Sequence, residues 1–181
     1  MTAGQYETQD ETQEETAMTH LPRLRPAGSA LVVKNDHVLM VTGDYPWPGC
    51  WSLPGGGQEV GETLDECVVR ELHEETGVRG RAVELMRIRE YLPERDPGSE
   101  SRPSGFVNHR LDALFWVELV EEPAALGGHH LDDSQTGVEW VPLVKAAELL
   151  MVPATMPAEL ADMVRTYQAG TWKFQYVGHT P

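Results

Sequence analysis

Cysteine is scarce in this chain: its 181 residues hold two, Cys50 and Cys67, with no metal-ligand spacing between them. A disulfide framework and a cysteine-based metal site are both disfavoured by that count. No apolar run approaches the roughly 20 residues needed to span a bilayer. The first residues lack the basic and apolar segments of a secretory leader, so the expected location is the cytoplasm, with no membrane partner. Cations are also few. Fourteen Lys and Arg face 29 Asp and Glu, a formal net charge of −15. That balance argues against nucleic acid as a partner, because such binders want basic patches. The first 20 residues contain no Lys or Arg at all, while Glu7, Asp10, Glu11, Glu14 and Glu15 are acidic. A segment of this kind cannot bury enough apolar surface to offset its ordering entropy. Residues 1–22 are expected to be a disordered acidic tail, and 23–181 a single domain.

What is present begins near Ala27. A hydrophobic content of 40% suits one soluble domain with a sizeable core. Ala30 to Lys34 and Val38 to Val41 are short β-rich runs around Asn35-Asp36-His37, which reads as a hairpin. Their unbroken hydrophobicity predicts strands covered on both faces. A Pro-interrupted loop carrying Tyr45 and Trp47 follows; both aromatics are candidates for stacking on a base. Trp51 reads as a core residue.

The richest stretch is GGQEVGETLDECVVRELHEETGV, Gly56 to Val78. Glu71, Glu74 and Glu75 stand at i, i+3 and i+4, which puts three carboxylates on one helical face. Leu64, Val68 and Leu72 recur every fourth residue and supply an apolar stripe. Gly77 occupies the place where a helix end wants a left-handed residue. A merely solvated face fits poorly, since Glu71 and Glu75 repel at i,i+4 and Arg70 is the single fixed cation between Glu66 and Glu75. Crowded carboxylates are the donors that hard divalent cations such as Mg²⁺ or Mn²⁺ take.

The same residues resemble the box of the Nudix hydrolases, G-x5-E-x7-R-E-U-x-E-E-x-G-U with U a bulky aliphatic residue. Gly56, Glu62, Arg70, Glu71, Leu72, Glu74, Glu75, Gly77 and Val78 fill every specified position. Upstream, Trp51-Ser52-Leu53-Pro54-Gly55-Gly56 is similar to the way many of these proteins enter the box. The resemblance implies an α/β fold, an α/β/α sandwich around a mixed sheet. It implies hydrolysis of a nucleoside diphosphate linked to another group X, with water as nucleophile. Glu71, Glu74, Glu75 and the Gly55 carbonyl would hold Mg²⁺ or Mn²⁺. One of these carboxylates, Glu74 among them, could instead take the water's proton. Family members differ on which residue is the base, and some place it outside the box; Arg70 and Glu62 would orient the carboxylates. A nucleotide-binding protein of the same fold without turnover is the alternative. The implied partner is a nucleotide-derived small molecule, and a homodimer is left open. Pro93 stands about where some ADP-ribose-cleaving members carry a proline, but no further motif selects X.

After the box, Ala82 to Leu92 reads as a strand with Arg87 and Arg89 on one face, expected to be a solvent-facing edge. Residues 93–105 read as a long loop. His109 could be a general base, but no acidic or nucleophilic partner is fixed near it by the sequence, so a surface or structural histidine is expected. His129, His130, Asp132 and Asp133 share a polar loop; such a cluster can bind metal, but a structural or solvated role is expected. Val138 to Leu143 predicts a strand, Val144 to Leu150 and Ala158 to Gln168 predict helices, and Trp172 to Val177 a half-buried strand.

Overall fold

Consecutive apolar residues along one strand go to opposite sides of a sheet, and in this chain each side meets a separate core. In the run Val38 to Val41, Val38 and Met40 join one buried cluster, whereas Leu39 joins another. Leu31 likewise belongs to the first cluster while its neighbours Ala30 and Val32 belong to the second. Double-sided burial explains why these strands read as continuous hydrophobic runs. The computed structural model describes residues 24–44, 46–95, 109–129 and 134–179. The acidic tail, Tyr45, His130, Asp132, Asp133 and most of the 93–105 loop lie outside the described residues.

The elements run β1 (Leu24–Leu31), β2 (Val33–Lys34), β3 (His37–Gly43), β4 (Cys50–Ser52), β5 (Gly55–Gly57) and α1 (Leu64–Thr76). There follow β6 (Arg79–Tyr91), a 3-10 turn (Pro93–Arg95), β7 (His109–Glu121), β8 (Gln135–Pro142), α2 (Leu143–Ala146), α3 (Met156–Gln168) and β9 (Gln175–His179). A five-stranded sheet has the order β5-β1-β7-β6-β9. It is mixed: β1 runs parallel to β7, and β9 parallel to β6, while the other pairs are antiparallel. Strands β2, β3, β4 and β8 form a second, antiparallel sheet. Asn35 and Asp36 take positive φ (48° and 60°), as a tight two-residue hairpin between β2 and β3 requires.

Helix α1 packs on β1, β5 and β6 through Val68 and Leu72, both fully buried beside Val78 and Val117. Burying a side chain such as Leu72 contributes about 2 kcal/mol. Helix α3 turns Met156, Leu160, Met163 and Val164 into the opposite core with Leu31, Met86 and Trp116. Tyr167 stacks on Trp116 with ring centroids 4.1 Å apart. The two helices thus cover opposite faces, the layered mixed α/β arrangement that was expected.

Three local expectations are overturned. Arg87 and Arg89 are buried, at 6% and 9% exposure: β9 rather than β6 ends the sheet, and the guanidiniums are engaged by Glu159 of α3 and Gln175 (Arg87) and by Asp112 of β7 (Arg89). The helix expected over residues 144–150 is a single turn, α2. Beyond it the chain is drawn alongside β4: Trp51 donates its N–H to the Leu150 carbonyl (2.8 Å) and Val152 donates to the Trp51 carbonyl (2.9 Å). The last strand starts only at Gln175, with Phe174 and Tyr176 facing outward at 53% and 62% exposure.

Candidate active site

Helix α1 is fixed at both ends before any functional group is considered. At its start the Thr63 hydroxyl accepts the Glu66 N–H, and the Glu66 carboxylate accepts the Thr63 N–H (2.8 Å), a reciprocal capping box. At its end Gly77 is left-handed (φ 75°), and its N–H reaches the His73 carbonyl at 2.9 Å. The carboxylates between these caps are therefore held on a rigid rod.

Arg70 gathers most of them. Its Nε and Nη2 donate to the two oxygens of Glu62 (3.0 and 2.7 Å), a forked pair. Its Nη1 donates to Glu71 and to Glu74, each at 2.9 Å, and Nη2 also reaches the Gly57 carbonyl at 3.1 Å. One guanidinium thus ties the loop residue Glu62 and strand β5 to the helix face. The Arg70 hydrogen bond holds the Glu62 carboxyl far below the usual range, at about 2, and these carboxylates in turn push the guanidinium pKa up. The neighbouring Cys67 thiol is raised to about 12, chiefly by burial, which leaves it protonated and unreactive.

Strand β5 lies against this face because it has no side chains. A Cβ on Gly56 would stand 2.4 Å from a Glu71 oxygen. Glu75 is 6% exposed and its Oε2 accepts the Gly55 N–H at 2.9 Å. The backbone of Glu75 is secured from outside the box. Its carbonyl accepts the Gly128 N–H (3.1 Å) and the Gln135 side-chain amide (3.0 Å), and Gly127 donates to the Thr76 carbonyl at 3.0 Å. That loop also sets His129 edge-on to His73, centroids 5.1 Å apart.

Gly55, Glu62, Arg70, Glu71, Glu74 and Glu75 are thus brought together. As donors, three carboxylates and a carbonyl suit a hard divalent cation. As they stand, the described residues include no group of three His, Cys, Asp or Glu arranged to hold a metal ion. Arg70 occupies the centre of the cluster, with Glu71 and Glu74 both turned to it. The donor chemistry fits a divalent cation, and the carboxylates are closed on an arginine.

Beyond β5 opens a cavity of about 550 Å³, lined by Gly55 to Gly57, Glu75, Pro46, Cys50, Ser52, Leu53, Gln135, Met156 and others. Arg25, Arg87, Arg89, Arg110 and Asp112 also line it. Of these the sequence had singled out only Arg87 and Arg89, and as solvent-facing. Trp47 stands outside the lining, its indole Nε1 buried without a hydrogen-bond partner among the described residues. His109 does have an acidic neighbour, Glu90, at 2.7 Å, which also accepts the Tyr176 hydroxyl. Both hydrogen bonds, that of Tyr176 foremost, lower the Glu90 pKa. No helix among the described residues is long and apolar enough to cross a membrane.

A family model described as NUDIX domain matches residues 22–167, most of the chain. The chain belongs to the Nudix family. Nudix hydrolases generally need a divalent metal, which accords with the oxygen-rich donor set. Among curated Nudix relatives, an ADP-ribose pyrophosphatase of Methanocaldococcus jannaschii is 39% identical over 72 residues, 39% of this chain and 42% of that protein. The NAD-capped RNA hydrolase NudC of Pseudomonas aeruginosa is 44% identical over 114 residues, 63% of this chain but 36% of that protein. The chain therefore spans less than half the length of either. Among solved structures, a NUDIX hydrolase from Nitrosomonas europaea superposes with a TM-score of 0.61 at 19% identity, covering 88% of this chain and 80% of that one. An ADP-ribose pyrophosphatase from Streptococcus suis gives 0.59 at 18% identity, covering 84% and 98%. These two likenesses establish the Nudix fold.

Proposed function

We propose that the chain is a pyrophosphohydrolase that cleaves the pyrophosphate linkage of a nucleoside diphosphate derivative, with Mg²⁺ or Mn²⁺. The observation that carries this is the arginine-centred cluster of Glu62, Arg70, Glu71 and Glu74, set against side-chain-free β5 at the mouth of the cavity. Glu71, Glu74, Glu75 and the Gly55 carbonyl would hold the metal, which when bound supplies charge neutralisation and a more acidic water.

The chain's own groups do the rest. The glycines of β5 let a pyrophosphate approach the backbone closely. Arg70 keeps Glu71 and Glu74 aimed at one place, and Glu62 keeps Arg70 there. Glu74 is the most exposed of the three helix carboxylates that would hold the metal, with its side chain 29% accessible, and is suited to take the proton of an attacking water. Water adds to one phosphorus, and the bridging oxygen leaves with the other. The products are a nucleoside monophosphate and phosphorylated X, with the proton passing through Glu74 to solvent. The names of the relatives put ADP-ribose and NAD first among substrates to try.

The test is product release from a panel of such derivatives with Mg²⁺ and with Mn²⁺, followed by chromatography. Monophosphate from at least one member is expected. Failure across the whole panel, with binding retained, would favour a nucleotide-binding role instead.

A further inference from the structure

Strand β5 borders the cavity, and two guanidiniums meet it at one residue. The Gly57 carbonyl accepts Arg70 Nη2 at 3.1 Å. A Cβ on Gly57 would lie 2.9 Å from both Nε and Nη2 of Arg25, so that guanidinium rests on the bare glycine. Strand pairing puts it there: Ala27, two residues on from Arg25, is the register partner of Gly57 in the antiparallel β1–β5 pair.

The two arginines differ in what else they hold. Arg70 is committed to Glu62, Glu71 and Glu74. Arg25 lines the cavity, and among the described residues its guanidinium has no hydrogen bond or ion pair. The other arginines of the lining are answered within the protein: Arg87 by Glu159, and Arg89 and Arg110 by Asp112. Buried unpartnered atoms on that wall mix donors, Nε of Arg87 and Arg110, with an acceptor, Oδ1 of Asp112. Such a wall selects no charge. Glu75, at the other end of β5, has its Oε2 taken by the Gly55 N–H. Arg25 is thus a cation without a carboxylate, seated on the glycine that also anchors Arg70.

We infer that Arg25 is a catalytic residue from outside the box, whose guanidinium holds non-bridging oxygens of the pyrophosphate lying over β5. A guanidinium fork matches two phosphate oxygens and stays charged throughout. It would face negative charge that the crowded carboxylates repel, and steady it as the bridging bond breaks. The bond changes stay as described above: water's oxygen bonds to one phosphorus, and the bridging oxygen leaves with the other. Arg25 donates hydrogen bonds and gives up no proton. The inference rests on the hydrolase reading for the word catalytic, but the contact can be tested without turnover.

In the turnover arm, kcat/KM is measured with Mg²⁺ for ADP-ribose and for NAD. Arg25→Gln should lose about tenfold to a hundredfold, the scale of one charge-assisted contact, and Arg25→Lys should lose less. Arg79→Gln makes the same change of net charge at an exposed residue outside the cavity lining, and should lose nothing. Melting temperatures should agree across the set, since Arg25 has no ion pair to give up. Wild-type kcat/KM in Arg25→Gln, or an equal loss in Arg79→Gln, overturns the contact and leaves the hydrolase reading standing.

The binding arm decides alone if neither compound is hydrolysed. Calorimetry with Mg²⁺ uses methylenediphosphonate and α,β-methylene-ADP, whose carbon-bridged phosphorus atoms water does not separate. Wild type should bind at least one of them, and Arg25→Gln about tenfold more weakly, with Arg79→Gln unchanged. No binding of either probe by wild type, or equal affinity in Arg25→Gln, overturns the contact. If the weakening is found while nothing is hydrolysed, the hydrolase reading fails and the pyrophosphate contact stands.

Discussion

Glu75 accepts the backbone N–H of Gly55 at 2.9 Å, across 20 residues of chain, from a side chain that is 6% exposed. The bond fixes strand and helix in a single frame, and gives one of the glutamates proposed to hold the metal a structural duty as well. Glu74, tied to Arg70 and more accessible, has no such duty in the frame. Changing either to Gln should therefore separate the two kinds of role. Glu74→Gln should fold with a smaller loss of stability than Glu75→Gln, since only its half-exposed pair with Arg70 is weakened, and lose about 10²-fold to 10⁴-fold in kcat. Glu75→Gln should lose turnover and also some stability, because its charge-assisted hydrogen bond becomes a neutral one, a change of about 1 kcal/mol. Rates at saturating metal and urea unfolding curves check both; near-native kcat in the two variants would defeat the assignment.

Chelation supplies a coarser check on the same cluster. With EDTA in excess, turnover should vanish, and Mg²⁺ or Mn²⁺ should restore it, since four oxygen donors without a cation cannot neutralise a pyrophosphate. Undiminished turnover in EDTA would show that the carboxylates serve some other end.

The close seating of the 127–128 turn on the helix end is testable through a methyl group. A Cβ on Gly128 would lie 1.5 Å from the Glu74 carbonyl oxygen, a backbone atom that cannot swing aside. Gly128→Ala should cost about 3 kcal/mol or more by forcing the turn off the helix. Gly178→Ala is the control, because nothing lies within 4 Å of the added carbon there. It should change stability by less than about 0.5 kcal/mol. Equal effects in denaturant titrations of the two would mean the turn is not seated as described.

The helix of the box was legible in the sequence because everything that defines it is local. The i, i+3, i+4 spacing of Glu71, Glu74 and Glu75, the aliphatic stripe and Gly77 all act within a few turns. The capping box of Thr63 and Glu66 was there to be read and escaped notice. The set of arginines lining the cavity was illegible for a different reason. Arg25 meets Arg110 only through the parallel pairing of β1 with β7, strands separated by most of the domain. No local pattern states that pairing. Arg87 and Arg89 were placed on the correct common face and the wrong exposure, since the groups that engage them, Glu159 on α3, Gln175 on β9 and Asp112 on β7, are equally non-local. His109 was left without a partner for the same reason: Glu90 reaches it across the β6–β7 ladder.

The pairing of Glu62 with Arg70 carries a pH signature. In the folded chain the Glu62 carboxyl titrates at about 2, against a usual 4.5, because the Arg70 fork favours its charged form. A depressed carboxylate stabilises the fold above the unfolded pKa and loses that contribution as pH falls through the folded one. The window therefore lies between about 4.5 and about 2. Glu62→Gln keeps the shape and removes the titration, so wild type should exceed the variant in stability by a constant margin from pH 7 down to about 5. Below that the margin should narrow steadily, approaching its smallest value near pH 2. Arg70 retains Glu71 and Glu74 in the variant, so the helix should stay folded for the comparison. Urea unfolding at several pH values gives the margin directly. A margin that stays flat through pH 3 would show that Arg70 does not fork onto Glu62 in solution, and that Glu62 titrates as an ordinary carboxylate.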